Sequence, residues 1–247
     1  MLSLRRPRFL LGPLLVLLLA GVVPAGAVDF TTLRAQLVEE IVATVGLTQH
    51  ELGKPALDER VLQVLSTVPR HEFVPDSERP HAYDDRPLPI GAGQAISQPY
   101  IVAIMTDLLD PKPDQVVFEL GTGSGYQAAI LAGLVKQVYT MEIIPTLGDR
   151  ARQTLQRLGY HNVSVRVGDG YYGWEEHAPF DAILVTAATD HLPPPLIRQL
   201  KPGGRMILPV GSSFLTQQLL LVTKADDGAL RTRTILPVRF VPLTGGR

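Results

Sequence analysis

Cysteine is absent from this chain of 247 residues, which excludes disulfides, thiol catalysis and zinc–thiolate centres. An excess of one charge is equally absent: 23 Lys and Arg stand against 24 Asp and Glu, a formal net charge of −1. That balance offers no basic face to a polyanion and no acidic tail, so nucleic acid is not an expected partner. The six histidines fall in no H-E-x-x-H or comparable spacing, so no metal site is expected. Internal repeats are lacking too. What remains is 45% hydrophobic and long enough for one α/β domain once the first segment is set aside.

That first segment stands apart. Arg5, Arg6 and Arg8 make a basic start, Phe9 to Leu19 an apolar stretch broken by Gly12 and Pro13, and Ala25-Gly26-Ala27 a small-x-small cleavage site. This is the layout of a secretory signal peptide, with Val28 as the first mature residue. The apolar stretch is short for a spanning helix. The expectation is a leader over 1–27 and a single exported domain over 28–247, with no stable membrane span after cleavage. Within it, 28–99 would hold helices and a substrate loop, and 100–247 a ligand-binding core.

Leu33, Leu37, Val38, Ile41 and Val42 recur at helical spacing and predict a helix over 31–45. Val61, Leu62, Val64 and Leu65 predict a second over 58–67, ending before Pro69. Residues 70–99 show no period, and a loop that long in a compact domain is more often functional than not. Pro99 suits the first turn of a helix running to Leu109, with Ser97 placed as its N-cap. Strands at 116–120, 137–142, 163–167, 181–186 and 205–209 then interleave with helices at 124–134, 146–158 and 194–200. Gly159, Gly203 and Gly204 fall where helix caps belong. The pattern predicts an α/β fold, Rossmann-like and doubly wound, its mostly parallel sheet covered by helices on both faces. An N-terminal helical extension precedes it. Residues 218–223 and 232–241 add antiparallel strands at the C-terminal end.

The chemistry concentrates where the first core strand ends, in Glu119-Leu120-Gly121-Thr122-Gly123-Ser124-Gly125-Tyr126. Glycines let a backbone turn tightly beside a ligand, and the following helix start offers unpaired N–H groups. The dinucleotide fingerprint is G-x-G-x-x-G, whereas here the spacing is G-x-G-x-G with an acid before it. Glu119 would repel a pyrophosphate and suits a ligand that is cationic and free of phosphate, as S-adenosylmethionine is. A nicotinamide-dependent dehydrogenase is disfavoured by the same spacing; a binder without turnover stays open here. Glu142 closes the next strand, placed to accept from ribose hydroxyls. Asp169-Gly170 follows the third, where Asp169 would accept from an exocyclic amine. Asp181 opens the fourth strand as a structural acid, and Thr186 at its end is a candidate substrate-side hydroxyl.

With these residues in place the chain resembles the protein-L-isoaspartate O-methyltransferase family, from about Leu33 to Leu243. The resembling stretches are Val68-Pro69-Arg70, Phe73-Val74-Pro75, Ala82-Tyr83-Asp84, Pro87-Leu88-Pro89-Ile90-Gly91 and Gly93-Gln94-Ala95-Ile96-Ser97-Gln98-Pro99-Tyr100. Glu119 to Ala129, Gly168-Asp169-Gly170, Pro209-Val210-Gly211 and Phe240-Val241-Pro242-Leu243 continue them. The resemblance implies methyl transfer from S-adenosylmethionine to the α-carboxylate of isoaspartyl residues in damaged proteins and peptides; a monomer is the separate expectation for the assembly. It makes Ser97 the active-site residue, and Glu119, Gly121, Thr122, Gly123, Ser124, Gly125, Glu142, Asp169 and Gly170 the cofactor set. Gln94, Ile96, Thr186, Val210 and Gly211 are the expected substrate contacts. The α-carboxylate, with a pKa of about 3.5, is already an anion and needs no general base. The chain departs from the family twice: Ala95 stands where threonine is usual, and the leader is foreign to a normally cytoplasmic family.

Overall fold

The computed structural model describes residues 28–212 and 215–245; the leader expected over 1–27 lies outside them. Asp29 starts the first helix, α1 (Phe30–Leu47), accepting from the amides of Thr31 and Thr32 at 3.0 and 3.2 Å, as an N-cap carboxylate does. A single turn, α2 (Gln49–Leu52), leads to α3 (Glu59–Thr67), capped in the same way by Asp58.

The stretch expected to be a loop is instead built. Two 3-10 turns, Arg70–Phe73 and Asp76–His81, run into an antiparallel hairpin of β1 (Leu88–Gly91) and β2 (Gln94–Ile96). Its tip, Gly91-Ala92-Gly93, carries φ values of 91°, 52° and 71°, a left-handed run in which two glycines relieve the steric cost. The hairpin delivers the chain to α4 (Pro99–Leu109), which begins at its proline as expected. Its cap does not fit the expectation. Gln98 holds the cap position, Ser97 lies one residue outside, and the capping acceptor is Asp85, whose Oδ1 takes the Tyr100 amide at 2.8 Å.

Beyond α4, β3 (Val116–Leu120), β4 (Gln137–Glu142), β5 (Val163–Val167), β6 (Phe180–Val185) and β7 (Leu200–Val210) are mutually parallel. The strands β8 (Gln217–Lys224) and β9 (Leu230–Val238) extend the sheet antiparallel, in the order β5-β4-β3-β6-β7-β8-β9. The connecting helices are α5 (Tyr126–Ala132), α6 (Pro145–Arg157) and α7 (Pro194–Gln199). Strand alternation sorts the core into two faces. Val117, Ala182, Leu184 and Ile207 pack with residues of α1, α3, α4, α5 and α6, while Phe118, Leu120, Ile183 and Met206 pack with Trp174 and with Leu196 of α7. Asp181 is structural, accepting from the Val116 amide at 2.8 Å and from Lys201 Nζ at 2.7 Å.

Expected boundaries move in the last parallel strand and in the last antiparallel one. Gly203 and Gly204 belong to β7 rather than to a helix cap, because that strand starts directly after α7. A Cβ on Gly204 would come within 2.8 Å of the Asp181 carbonyl, at a bulge where the register skips between Phe180 and Ala182. β9 stops at Val238 rather than 241. The chain then crosses back to the end of β6, with Ala188 N donating to Val241 O and Leu243 N donating to Ala188 O, both at 2.8 Å. Among the described residues no helix is long and apolar enough to cross a membrane.

Candidate active site

Sheet order reverses between β3 and β6, so the loops leaving their carboxyl ends diverge and open a crevice. A cleft enclosing about 780 Å³, open solvent included, fills that crevice. The glycine turn after β3 is its floor. Gly121, Gly123 and Gly125 have φ of 94°, 54° and 89°, conformations costly to residues with a Cβ. Gly121 also has no room for one: it would stand 2.2 Å from Thr186 Oγ1. α5 accordingly starts at Tyr126 instead of residue 124, after left-handed Gly125.

Thr186 lines the cavity, but its hydroxyl donates to the carbonyls of Leu120 and Gly121 at 3.0 and 2.6 Å. It fixes the turn with this hydroxyl while remaining on the cavity wall. The Thr122 hydroxyl pairs with that of Thr140 at 2.7 Å, and Ser124 Oγ accepts from Tyr126 N at 3.2 Å. Both residues line the cavity with hydroxyls already engaged by the protein.

The acids divide their labour differently from the expectation. Glu119 is wholly buried behind the turn and is not on the cavity wall. Its Oε2 accepts from Thr140 Oγ1 at 2.6 Å, while Oε1 is buried without a hydrogen-bond partner among the described residues. Burial pushes this carboxyl up to about 8, so near neutral pH it is protonated and gives no charge to the site. The charge comes from Glu142, on the wall, which accepts from the amides of Gly123 at 2.7 Å and Ile144 at 3.0 Å. Each oxygen keeps a lone pair for a hydroxyl donor. Glu142 is the one charged side chain on the wall among the described residues, and no Lys, Arg or His joins it. Among the described residues the wall offers an anion and no cationic side chain, which favours a cationic nucleoside over a pyrophosphate.

Gly170 reaches the wall, and a Cβ there would meet Leu120 Cγ at 2.7 Å. Asp169 stands one step back, accepting from Tyr171 N at 3.0 Å. Its carboxylate lies beside Gly245, where a Cβ would come within 2.5 Å of it. Gln94, Ala95 and Ile96 of the hairpin and Ser97 just after it line the same cavity. Val210 and Gly211 do not reach it: they are bridged to Thr189, whose carbonyl accepts from Gly211 N at 2.8 Å. Sequence reasoning missed Met141, Ile143 and the wall from Val241 to Thr244. Ile143, 37% exposed, had a signal, as an apolar residue just past a strand-end acid. The tail's signal was the resembling stretch Phe240-Val241-Pro242-Leu243, which assigned it no place in the site; its return to Ala188 brings it there.

The family model for protein-L-isoaspartate(D-aspartate) O-methyltransferase matches residues 47–247. The chain belongs to that family. Protein-L-isoaspartate O-methyltransferase 1 of Cupriavidus necator is 60% identical over 240 residues, 94% of this chain and 93% of that protein. A solved protein-L-isoaspartate O-methyltransferase, 28% identical, matches with a TM-score of 0.73 over 86% of this chain and 66% of that one. A putative family member from Plasmodium falciparum, solved with S-adenosyl-L-homocysteine, shares the fold at 23% identity, with a TM-score of 0.70 over 87% of this chain and 98% of that one. For an O-methyltransferase the wall is apt in composition: one anion, tight glycine backbone, and a serine.

Proposed function

We propose that this chain transfers a methyl group from S-adenosylmethionine to the α-carboxylate of L-isoaspartyl residues in damaged proteins and peptides, and so initiates their repair. The observation that carries this reading is that Ser97 and the glycine turn line one cavity. Bound S-adenosylmethionine supplies an electrophilic methyl group on a sulfonium centre. Glu142 and the backbone of Gly121, Gly123 and Gly170 would hold its nucleoside, with Ile143 and Met141 as apolar contacts. Glu119 supports the turn from behind, through Thr140.

Ser97 donates a hydrogen bond to the substrate carboxylate and aims one of its oxygens into the cavity. No proton has to be removed, because the carboxylate ionises at a pKa of about 3.5, and among the described residues the wall carries no histidine or lysine that would act as a base. Catalysis is therefore placement and exclusion of water, with Ile96 and Leu243 as apolar walls and Gln94 at the substrate side. We also assign residues 1–27 to a cleaved leader and the mature chain to the cell exterior or periplasm, acting there as a monomer.

The test uses protein beginning at Val28, labelled S-adenosylmethionine, a synthetic L-isoaspartyl peptide and its normal aspartyl counterpart. Base-labile label on the isoaspartyl peptide alone is the expected result. Cofactor binding with no label on either peptide overturns the reading.

A further inference from the structure

Arg70 is completely buried, yet it is not on the cavity wall. Its Nε donates to Ala82 O at 2.9 Å, and its Nη2 to Ser97 O at 2.8 Å and Arg86 O at 3.5 Å. The guanidinium carbon lies 4.8 Å from the ring centroid of Tyr126, the residue that starts α5 after the glycine turn. All three of these hydrogen-bond acceptors are carbonyls, so the bonds use the fixed fork of arginine, which a lysine cannot copy. Asp85 approaches the same stretch from outside. Its Oδ1 accepts from Tyr100 N at 2.8 Å and its Oδ2 from Gln98 Nε2 at 3.0 Å. The segment from Ser97 to Tyr100 is thus held at its first carbonyl by a cation and at its last amide by an anion.

Resting on the methyl-transfer reading above, we propose that Arg70 and Asp85 are positioning residues for the reaction, a brace that sets the Ser97 hydroxyl over the cavity. Neither has an atom on the wall, so both act through the backbone of that segment. A serine that orients an anion is sensitive to its own placement, since displacement of about 1 Å can cost about a hundredfold in rate. The brace answers that demand, because Ser97 is not itself tied down as a helix cap.

The experiment compares wild type with Arg70→Lys, Asp85→Ala and the double variant. Asp85 is only partly buried, so its variant tests the idea even if a change at Arg70 prevents folding. The readouts are kcat and KM for an isoaspartyl peptide, S-adenosylhomocysteine affinity by calorimetry, and amide hydrogen exchange over residues 94–100. Each single variant is expected to lose about tenfold or more in kcat while KM and S-adenosylhomocysteine affinity stay within about threefold of wild type. The double variant should lose less than the product of the two, because both act on one segment. Exchange at the Tyr100 amide should quicken in Asp85→Ala. Wild-type kcat in both single variants, or kcat falling in step with S-adenosylhomocysteine affinity, overturns the brace. Absence of transfer by wild type would instead sink the methyl-transfer reading, and the exchange data would still decide whether Arg70 and Asp85 hold the segment.

Discussion

A serine that meets an anion has one proton to share and nothing to abstract, so its worth is that of a single charge-assisted hydrogen bond. Removing it by Ser97→Ala should cost about 1.5–3 kcal/mol of transition-state stabilisation, roughly one to two decades in kcat/KM. S-adenosylhomocysteine binding, measured by calorimetry, should be unchanged; loss of both together would place Ser97 in the cofactor pocket instead. Glu119 makes a prediction of another kind. Its carboxyl is raised from 4.5 to about 8 by burial, so the folded chain holds a proton that the unfolded chain has released across that window. The stability tied to the protonated acid is complete below about pH 4.5 and is lost as pH rises towards 8, at up to about 1.4 kcal/mol per pH unit. Glu119→Gln keeps the uncharged shape and should flatten that decline. Urea unfolding at pH 5 and pH 8 checks it, and parallel curves for wild type and variant would refute it.

The glycine turn shows what one added methyl group can do to an element. Gly121→Ala combines a φ of 94° with a Cβ placed 2.2 Å from Thr186 Oγ1. It should break the hydroxyl bonds from Thr186 to Leu120 and Gly121, and weaken S-adenosylhomocysteine binding by about tenfold or more, given the cost of a strained backbone residue. Unaltered affinity would mean that the turn has slack. Elements of this core were largely legible in the sequence. Val117 and Phe118, or Ile183 and Leu184, announce two-sided burial by apolar runs, and Gly159 with Pro99 punctuate the helices. Illegible parts have a common physical cause, contacts between distant segments. Asp85 caps α4 from 15 residues away; the hairpin strands, four and three residues long, are too short to show alternation. Glu119 looked like a charge beside the ligand because sequence gives its neighbours but not its burial.

At the scale of the whole molecule, ligand and fold are linked. If S-adenosylhomocysteine binds only the folded chain, a concentration a hundredfold above its Kd should add about 2.7 kcal/mol of stability. For a domain of this size that raises Tm by about 5–10 °C in a thermal scan. No shift would mean that the cavity is not the cofactor site. Export predicts a mature N-terminus at Val28 in the secreted or periplasmic fraction, and Met1 on intracellular protein alone would overturn it. The wall from Val241 to Thr244, clasped by Ala188, carries one more consequence. A growing chain that has already made the glycine turn, Glu142 and Ser97 still lacks this part of the wall until residue 244 has been synthesised. The complete wall is a property of the finished molecule, and for a chain threaded unfolded through a membrane it closes on the far side of the crossing.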